Sequence, residues 1–275
     1  MIEKVLQRGN LLLAYRQVLA NQGSAGVDGM TVQELLAHLQ VNQHAIATAI
    51  RSSEYLPQPI LGVEIPKSNG QKRLLGIPIV TDRLLQQAVS QTIAPLFELE
   101  FKPHSYGLRP NRNAQQAVLQ AQKNINEGYQ HIVDIDLKSF FDEVEHCLLL
   151  QLIYRKVKCP LTLCLIRKWL RAPVLIQGKL TKRRRGVPQG SPLSPLLSNI
   201  MLHELDKELE RQGLRYVRYA NDFSAYTKSE SEARLVGNSL FLFLKNKLSL
   251  PINREKSGIR RPVDLQILGY HLPER

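Results

Sequence analysis

Hydrophobic residues recur at helical spacing in the first part of the chain. Leu11, Leu12, Tyr15, Val18 and Leu19 fall on one stripe, which predicts an amphipathic helix. Gly23-Ser24-Ala25-Gly26-Val27-Asp28-Gly29 interrupts it, and Thr31-Val32-Gln33-Glu34 has the makings of a capping box for the next helix. Residues 1–56 therefore read as mostly helical. Two apolar runs, Ile60 to Ile65 and Leu74 to Pro78, flank Ser68-Asn69-Gly70 and predict a β-hairpin. Helical patterning returns over 84–128, broken between Pro103 and Pro110. The segment His131–Leu137 alternates, with Ile132, Asp134 and Asp136 on one face and Val133, Ile135 and Leu137 on the other. Ser194 is placed to cap a helix with Pro195 at its first position, and Leu197, Ile200, Met201, Leu205 and Leu209 form its apolar side. Tyr216–Tyr226 reads as two short strands around a turn with Asn221-Asp222 at its tip, residue types that tolerate left-handed backbone. Ser229-Glu230-Ser231-Glu232 then opens a helix carrying Leu235, Val236, Leu240, Phe241, Leu244 and Leu248.

This mixture of separated helices and hairpins predicts an α+β fold. The 275 residues suffice for one large domain or two packed subdomains. Composition adds the partner class. Lys and Arg number 37 against 24 Asp and Glu, a formal charge of +13 that favours a polyanion. Cys147, Cys159 and Cys164 lack paired zinc spacing and read as buried free thiols, suited to a reducing cytoplasm. Met1-Ile2-Glu3-Lys4 has no signal-peptide pattern, and no apolar run reaches the roughly 20 residues that span a bilayer, so no membrane partner is expected. There is no internal repeat, low-complexity tract or Walker spacing.

The chemistry rests on three segments in order. They are Asp134-Ile135-Asp136-Leu137 followed by Phe140-Phe141, then Gly186-Val187-Pro188-Gln189-Gly190, then Tyr219-Ala220-Asn221-Asp222. Acidic residues on an alternating strand and at a hairpin turn suit cation binding, although aspartates on a half-exposed edge strand would also alternate this way. Together the segments resemble the palm motifs of reverse transcriptases, most closely those of bacterial group II introns. Ser105-Tyr106-Gly107-Leu108-Arg109-Pro110, Asn253-Arg254-Glu255-Lys256-Ser257 and Ile267-Leu268-Gly269-Tyr270 resemble further signatures of that family.

The resemblance implies a right-hand polymerase fold of fingers and palm, with an antiparallel palm sheet packed on helices. It implies an N-terminal helical extension at 1–56, fingers with connecting helices at 57–128 and a palm at 129–275, interleaved as one body and lacking a thumb. It implies RNA-directed DNA polymerase activity through two Mg2+ ions, for which Mn2+ could substitute. Asp136, Asn221 and Asp222 take the catalytic positions. Asp136, Asp222 and the carbonyl of Leu137 are the implied metal ligands, with Asp134 a neighbour. Lys67, Arg73, Phe141, Gln189 and Lys256 would contact the deoxynucleoside triphosphate, with Lys72 and Arg83 as secondary choices. Phe141 would lie under the sugar and exclude a 2′-hydroxyl. Arg109, Arg112, Lys182, Arg183, Arg184, Arg185 and Gly269 would contact an RNA template and DNA primer. Intron RNA is a further implied partner, a homodimer is compatible, and a bacterial-type cytoplasm is the implied compartment.

One position departs from the family, which carries Tyr-Ala-Asp-Asp where this chain has Asn221. An amide keeps one coordinating oxygen but loses a negative charge, which fits natural decay of activity or deliberate silencing. The alternative function is therefore a non-catalytic RNA-binding maturase or scaffold that retains the fold. A third reading is a defence or CRISPR-associated reverse transcriptase.

Overall fold

A computed structural model describes residues 1–66, 70, 72–264, 266–267 and 270–271, the last four by their backbone. The chain opens with α1 (Ile2–Leu6), α2 (Arg8–Ala20) and α3 (Leu35–Arg51). Within α2 the buried residues are Ala14 and Val18, while Leu12 is 47% exposed. Small side chains let this helix approach its neighbour, and Asn10 reaches across to the Ala88 carbonyl at 3.0 Å. At residues 31–34 only half of a capping box forms. Glu34 accepts from both the amide and the hydroxyl of Thr31, so that hydroxyl is a donor and the helix starts at Leu35.

The hairpin is β1 (Ile60–Pro66) and β2 (Lys72–Ile77), paired from Leu61 opposite Ile77 to Pro66 opposite Lys72. Then follow α4 (Val80–Glu98), α5 (Ala114–Asn126), β3 (His131–Asp136) and α6 (Phe140–Glu143). Next come α7 (His146–Tyr154), α8 (Pro160–Arg171), β4 (Val174–Ile176), β5 (Lys179–Thr181) and α9 (Ser194–Arg211). The last part contains β6 (Arg215–Tyr219), β7 (Asp222–Thr227), α10 (Glu230–Phe243) with a π-helical turn at Leu244–Leu248, β8 (Gly258–Arg260), β9 (Gln266–Ile267) and β10 (Tyr270–His271).

Two compact units result, each assembled from two stretches of chain. The first is Met1–Leu99 with Glu145–Leu197, and the second is Glu100–Val144 with Ser198–Arg275. This division cuts across the three consecutive ranges drawn from the sequence, because strand pairing joins distant segments. In the first unit the sheet order is β2-β1-β4-β5, with β1 and β4 parallel. Ile60, Ala172 and Val174 form a core beneath it. Asp82, 1% exposed, accepts from Trp169 Nε1 and Tyr55 Oη at 2.8 Å each and from the Gln58 amide at 3.2 Å. Those bonds tie α4 to α8 and to the segment after α3, and burial pushes the Asp82 carboxyl up to about 6.

In the second unit the antiparallel sheet order is β6-β7-β3-β8. Ile132, Val217 and Tyr226 pack with Tyr106 and with Ala117, Ala121 and Ile125 of α5. The opposite face packs on α10, whose Ala233, Val236 and Leu240 are buried. Leu235, expected on that face, is 72% exposed because it lies about 100° around the helix from Val236. The three cysteines are free, but Cys147 is exposed and Cys159 and Cys164 are only partly buried. No helix among the described residues is long and apolar enough to cross a membrane.

Candidate active site

The site grows out of the register between β3 and β7. Asp136 lies directly opposite Asp222, and Asp134 opposite Ser224. Side chains of directly opposed residues leave the sheet on the same side, with Cβ atoms about 4.5–5.5 Å apart. The predicted face of Ile132, Asp134 and Asp136 is thus one face in fact, apolar at its Ile132 end and acidic at the other. Ile132 is buried under α5, whereas both aspartates are only partly covered.

β6 and β7 are joined by a two-residue loop, because Tyr219 pairs with Asp222. Its residues are Ala220 and Asn221, so Asp222 already belongs to the strand. The left-handed residue is Ala220, at φ +55°, and not the asparagine. Positive φ at the first loop position is the mark of a type II′ hairpin, a position glycine usually takes. Crowding accompanies it: a Cβ at Gly107 would stand 2.2 Å from the Ala220 nitrogen. The Ser105-Tyr106-Gly107 segment runs beside β6, where the Tyr106 amide donates to the Arg218 carbonyl at 2.8 Å. Its place in the sequence signature follows from this close approach.

Asp136 is held from a third direction. The Asn253 side-chain amide donates to its carboxylate at 3.1 Å and the Asn253 backbone amide to its carbonyl at 2.9 Å. Its own amide donates to Ser257 Oγ at 3.0 Å. Leu137 forms a bridge with Ile252 and is buried. Asp134 is engaged by Arg260 Nε at 2.9 Å and by Ser224 Oγ at 3.3 Å, while desolvation raises its carboxyl. The Asp222 carboxyl is also raised, first by desolvation and then by the charges of Asp136 and Asp134, with Lys256 opposing. Asn221 Nδ2 points at Asp222 Oδ1 from 3.5 Å.

A carboxylate crowded by other negative charges, as Asp222 is by Asp136 and Asp134, is donor chemistry that a hard divalent cation relieves. Among the described residues no three His, Cys, Asp or Glu side chains gather into a metal centre. Asp136 and Asp222, opposed in the sheet, are the residues that could hold such a cation, with the Asn221 side chain beside them.

Phe141 is partly buried and meets Phe140 edge-on at 5.3 Å. Arg109 donates to the carbonyls of Lys102 and Ser105 at 2.7 Å each and lies over the Phe101 ring. Arg112 donates to the Pro103 carbonyl and lies over Tyr106. Both guanidinium groups therefore brace the loop that carries Gly107.

The first unit holds the remaining described residues that were singled out. The Gly76 amide donates to the Gln189 carbonyl at 2.7 Å, and Arg73 Nε donates to the Gln189 side chain. Gly190 sits at φ +114°, where a Cβ would be 2.6 Å from the Gly76 carbonyl oxygen. The Pro188-Gln189-Gly190 turn is thereby fastened to β2, and Ser194 Oγ donates to the Pro188 carbonyl at 2.6 Å. The His146 ring bonds the Gly186 carbonyl at 2.7 Å. Lys72 pairs with Glu64, and buried Arg83 donates to the Ser24 carbonyl at 2.7 Å. Lys182, Arg184 and Arg185 are exposed and Arg183 is partly buried. Lys67 and Gly269 lie outside the described residues.

The pattern described as "Reverse transcriptase (RNA-dependent DNA polymerase)" matches residues 65–272. The chain belongs to that family. Its similarity extends to protein YkfC of Escherichia coli (strain K12), 31% identical over 94% of this chain and 79% of that protein. The group II intron-encoded protein LtrA of Lactococcus lactis subsp. cremoris is 29% identical over 96% of this chain. This reverse transcriptase chain spans 55% of LtrA. Among solved structures, a partial Cas6-RT-Cas1–Cas2 complex matches with TM-score 0.55 and 24% identity, covering 90% of this chain and 42% of that one. Telomerase from Candida albicans matches with TM-score 0.54 and 15% identity, covering 84% and 47%. These likenesses show the fold, an α+β arrangement of fingers and palm.

The sheet register brings together Asp136 and Asp222, both singled out from the sequence, and Asn253 and Ser257, which were not singled out individually, hold Asp136. Asn253 and Ser257 were within a quoted motif, where a polar pair four residues apart was the available signal.

Proposed function

We propose that this chain is the fingers and palm of a group II intron-type RNA-directed DNA polymerase whose nucleotidyl transfer is impaired at Asn221. The observation that carries the proposal is the register of Asp136 opposite Asp222. In this reading Asp136, Asp222 and the Leu137 carbonyl hold two Mg2+ ions, replaceable by Mn2+. When bound, such ions supply activation of the primer hydroxyl and compensation of triphosphate charge. Asn253 and Ser257 keep Asp136 aimed, and Lys256 moderates the local negative charge. Arg73, Gln189 and Lys67 contact the deoxynucleoside triphosphate, and the Phe141 ring excludes a 2′-hydroxyl. The Lys182–Arg185 run and Gly269 meet an RNA template paired to a DNA primer, in keeping with the excess of basic charge.

Asn221 offers Asp222 an amide donor where the family pattern offers another negative charge. Loss of such electrostatic stabilisation costs roughly 3 kcal/mol, or about a hundredfold in rate. The test is incorporation of deoxynucleotides on an RNA template by Asn221→Asp protein. Incorporation that needs divalent metal and disappears with Asp136→Ala supports the reading. Incorporation that survives Asp136→Ala rejects it.

A further inference from the structure

Arg218 and Asp206 form an ion pair in which both side chains have no solvent exposure. The contact is bidentate, with Nε and Nη2 donating to the two carboxylate oxygens at 2.8 and 2.7 Å. The remaining nitrogen turns toward the catalytic loop. Arg218 Nη1 donates to the Ala220 carbonyl at 2.8 Å and to Asn199 Oδ1 at 3.0 Å. Asn199 in turn donates to the carbonyls of Gly107 and Leu108 at 3.0 and 3.3 Å. Asn199 and Asp206 are seven residues apart on α9, two turns along one face, so a rigid helix presents both groups.

Burial of a bidentate pair is no stability gain over well-packed apolar residues of similar volume. What this pair supplies is geometry. Ala220 is held at a positive φ that L-residues disfavour, with its carbonyl fixed by Arg218 and its nitrogen crowded by Gly107. The next peptide leads into Asn221 and Asp222. Rotation of the Ala220–Asn221 peptide would carry Asp222 away from its place opposite Asp136. We infer that Arg218, anchored by Asp206 and Asn199, is a positioning residue that sets the Tyr219–Asp222 turn so that Asp222 and Asp136 share one cation. This rests on the metal-site reading proposed above.

The test is Mn2+ affinity, measured by electron paramagnetic resonance on the full chain. The paired replacement Arg218→Met with Asp206→Leu removes both charges and keeps the volume buried, so folding can persist while the clamp is removed. At least a tenfold loss of Mn2+ affinity is expected. Adding Ala220→Gly, which adopts positive φ without strain, should recover affinity severalfold, an effect no general packing defect would show. Arg218→Lys decides the matter if the paired variant fails to fold. Its single ammonium can face Asp206 but cannot also hold Ala220 and Asn199, so affinity should again fall. Wild-type Mn2+ affinity in the folded variants would overturn the positioning role. A parent chain with no Mn2+ binding sensitive to Asp136→Ala would instead overturn the metal site and the positioning role with it.

Discussion

Replacing Gly107 with Ala inserts a methyl group into a close backbone contact with the Tyr219–Asp222 turn. The new Cβ would be 2.2 Å from the Ala220 nitrogen, 2.8 Å from the Tyr219 carbonyl carbon and 3.0 Å from the Ala220 Cα. All three are backbone atoms, so no flexible side chain can swing away. Ordinary non-bonded separations are about 3.5–4.0 Å, which requires the turn or the Tyr106–Leu108 segment to retreat by about 1 Å. Overpacking of this kind costs about 1–3 kcal/mol in stability. A displacement of about 1 Å at a reacting centre can cost a further hundredfold in rate. Guanidinium unfolding should therefore show a modest loss, while an Asn221→Asp, Gly107→Ala protein should lose nearly all the primer extension of Asn221→Asp alone. Unchanged extension with unchanged stability would refute the claim that Gly107 is required by close approach to the turn.

Two further outcomes concern the first unit. The Asp82 carboxyl is held near 6, above its unfolded value of about 3.9, so the folded state binds its proton more tightly. The resulting stability is complete below about pH 4 and is lost as pH rises through 6, a cost of about 3 kcal/mol at neutral pH. Asp82→Asn should remove that fall in unfolding free energy between pH 4 and 7, while leaving the Gln58 amide poorly paired at a cost of about 1–3 kcal/mol; identical pH profiles would contradict this. Lys182→Ala with Arg184→Ala should weaken RNA binding and lower the slope of log affinity against log salt by about 0.7–0.9 for each phosphate no longer neutralised. An unchanged slope in filter-binding titrations would remove these exposed cations from the nucleic-acid interface.

The β3 alternation and the hairpin turn were legible because each is local: period two in one strand, and turn residues between two others. Their mutual register was not legible, since Asp136 and Asp222 are 86 positions apart and only the sheet aligns them. Glycine at 107 and 190 could be recognised as motif letters, but the reason for each is an approach by backbone distant in sequence. The expectation for the turn was misplaced by one residue, because Asn tolerates positive φ yet tertiary contacts impose it on Ala220. Apolar pattern overstated burial at Leu12 and Leu235, where neighbouring positions on the helix face the core instead. Arg109 and Arg112 carried a basic signature, and the structure spends their guanidinium groups on loop carbonyls and aromatic rings.

The most direct test compares primer extension on an RNA template by the chain as it stands and by its Asn221→Asp variant, at equal enzyme and saturating primer-template. Restoring the carboxylate beside Asp222 should raise the rate by about a hundredfold or more, given roughly 3 kcal/mol for the missing electrostatic stabilisation. Equal, robust extension by both proteins would contradict a cation site built on Asp136 and Asp222 and impaired at Asn221.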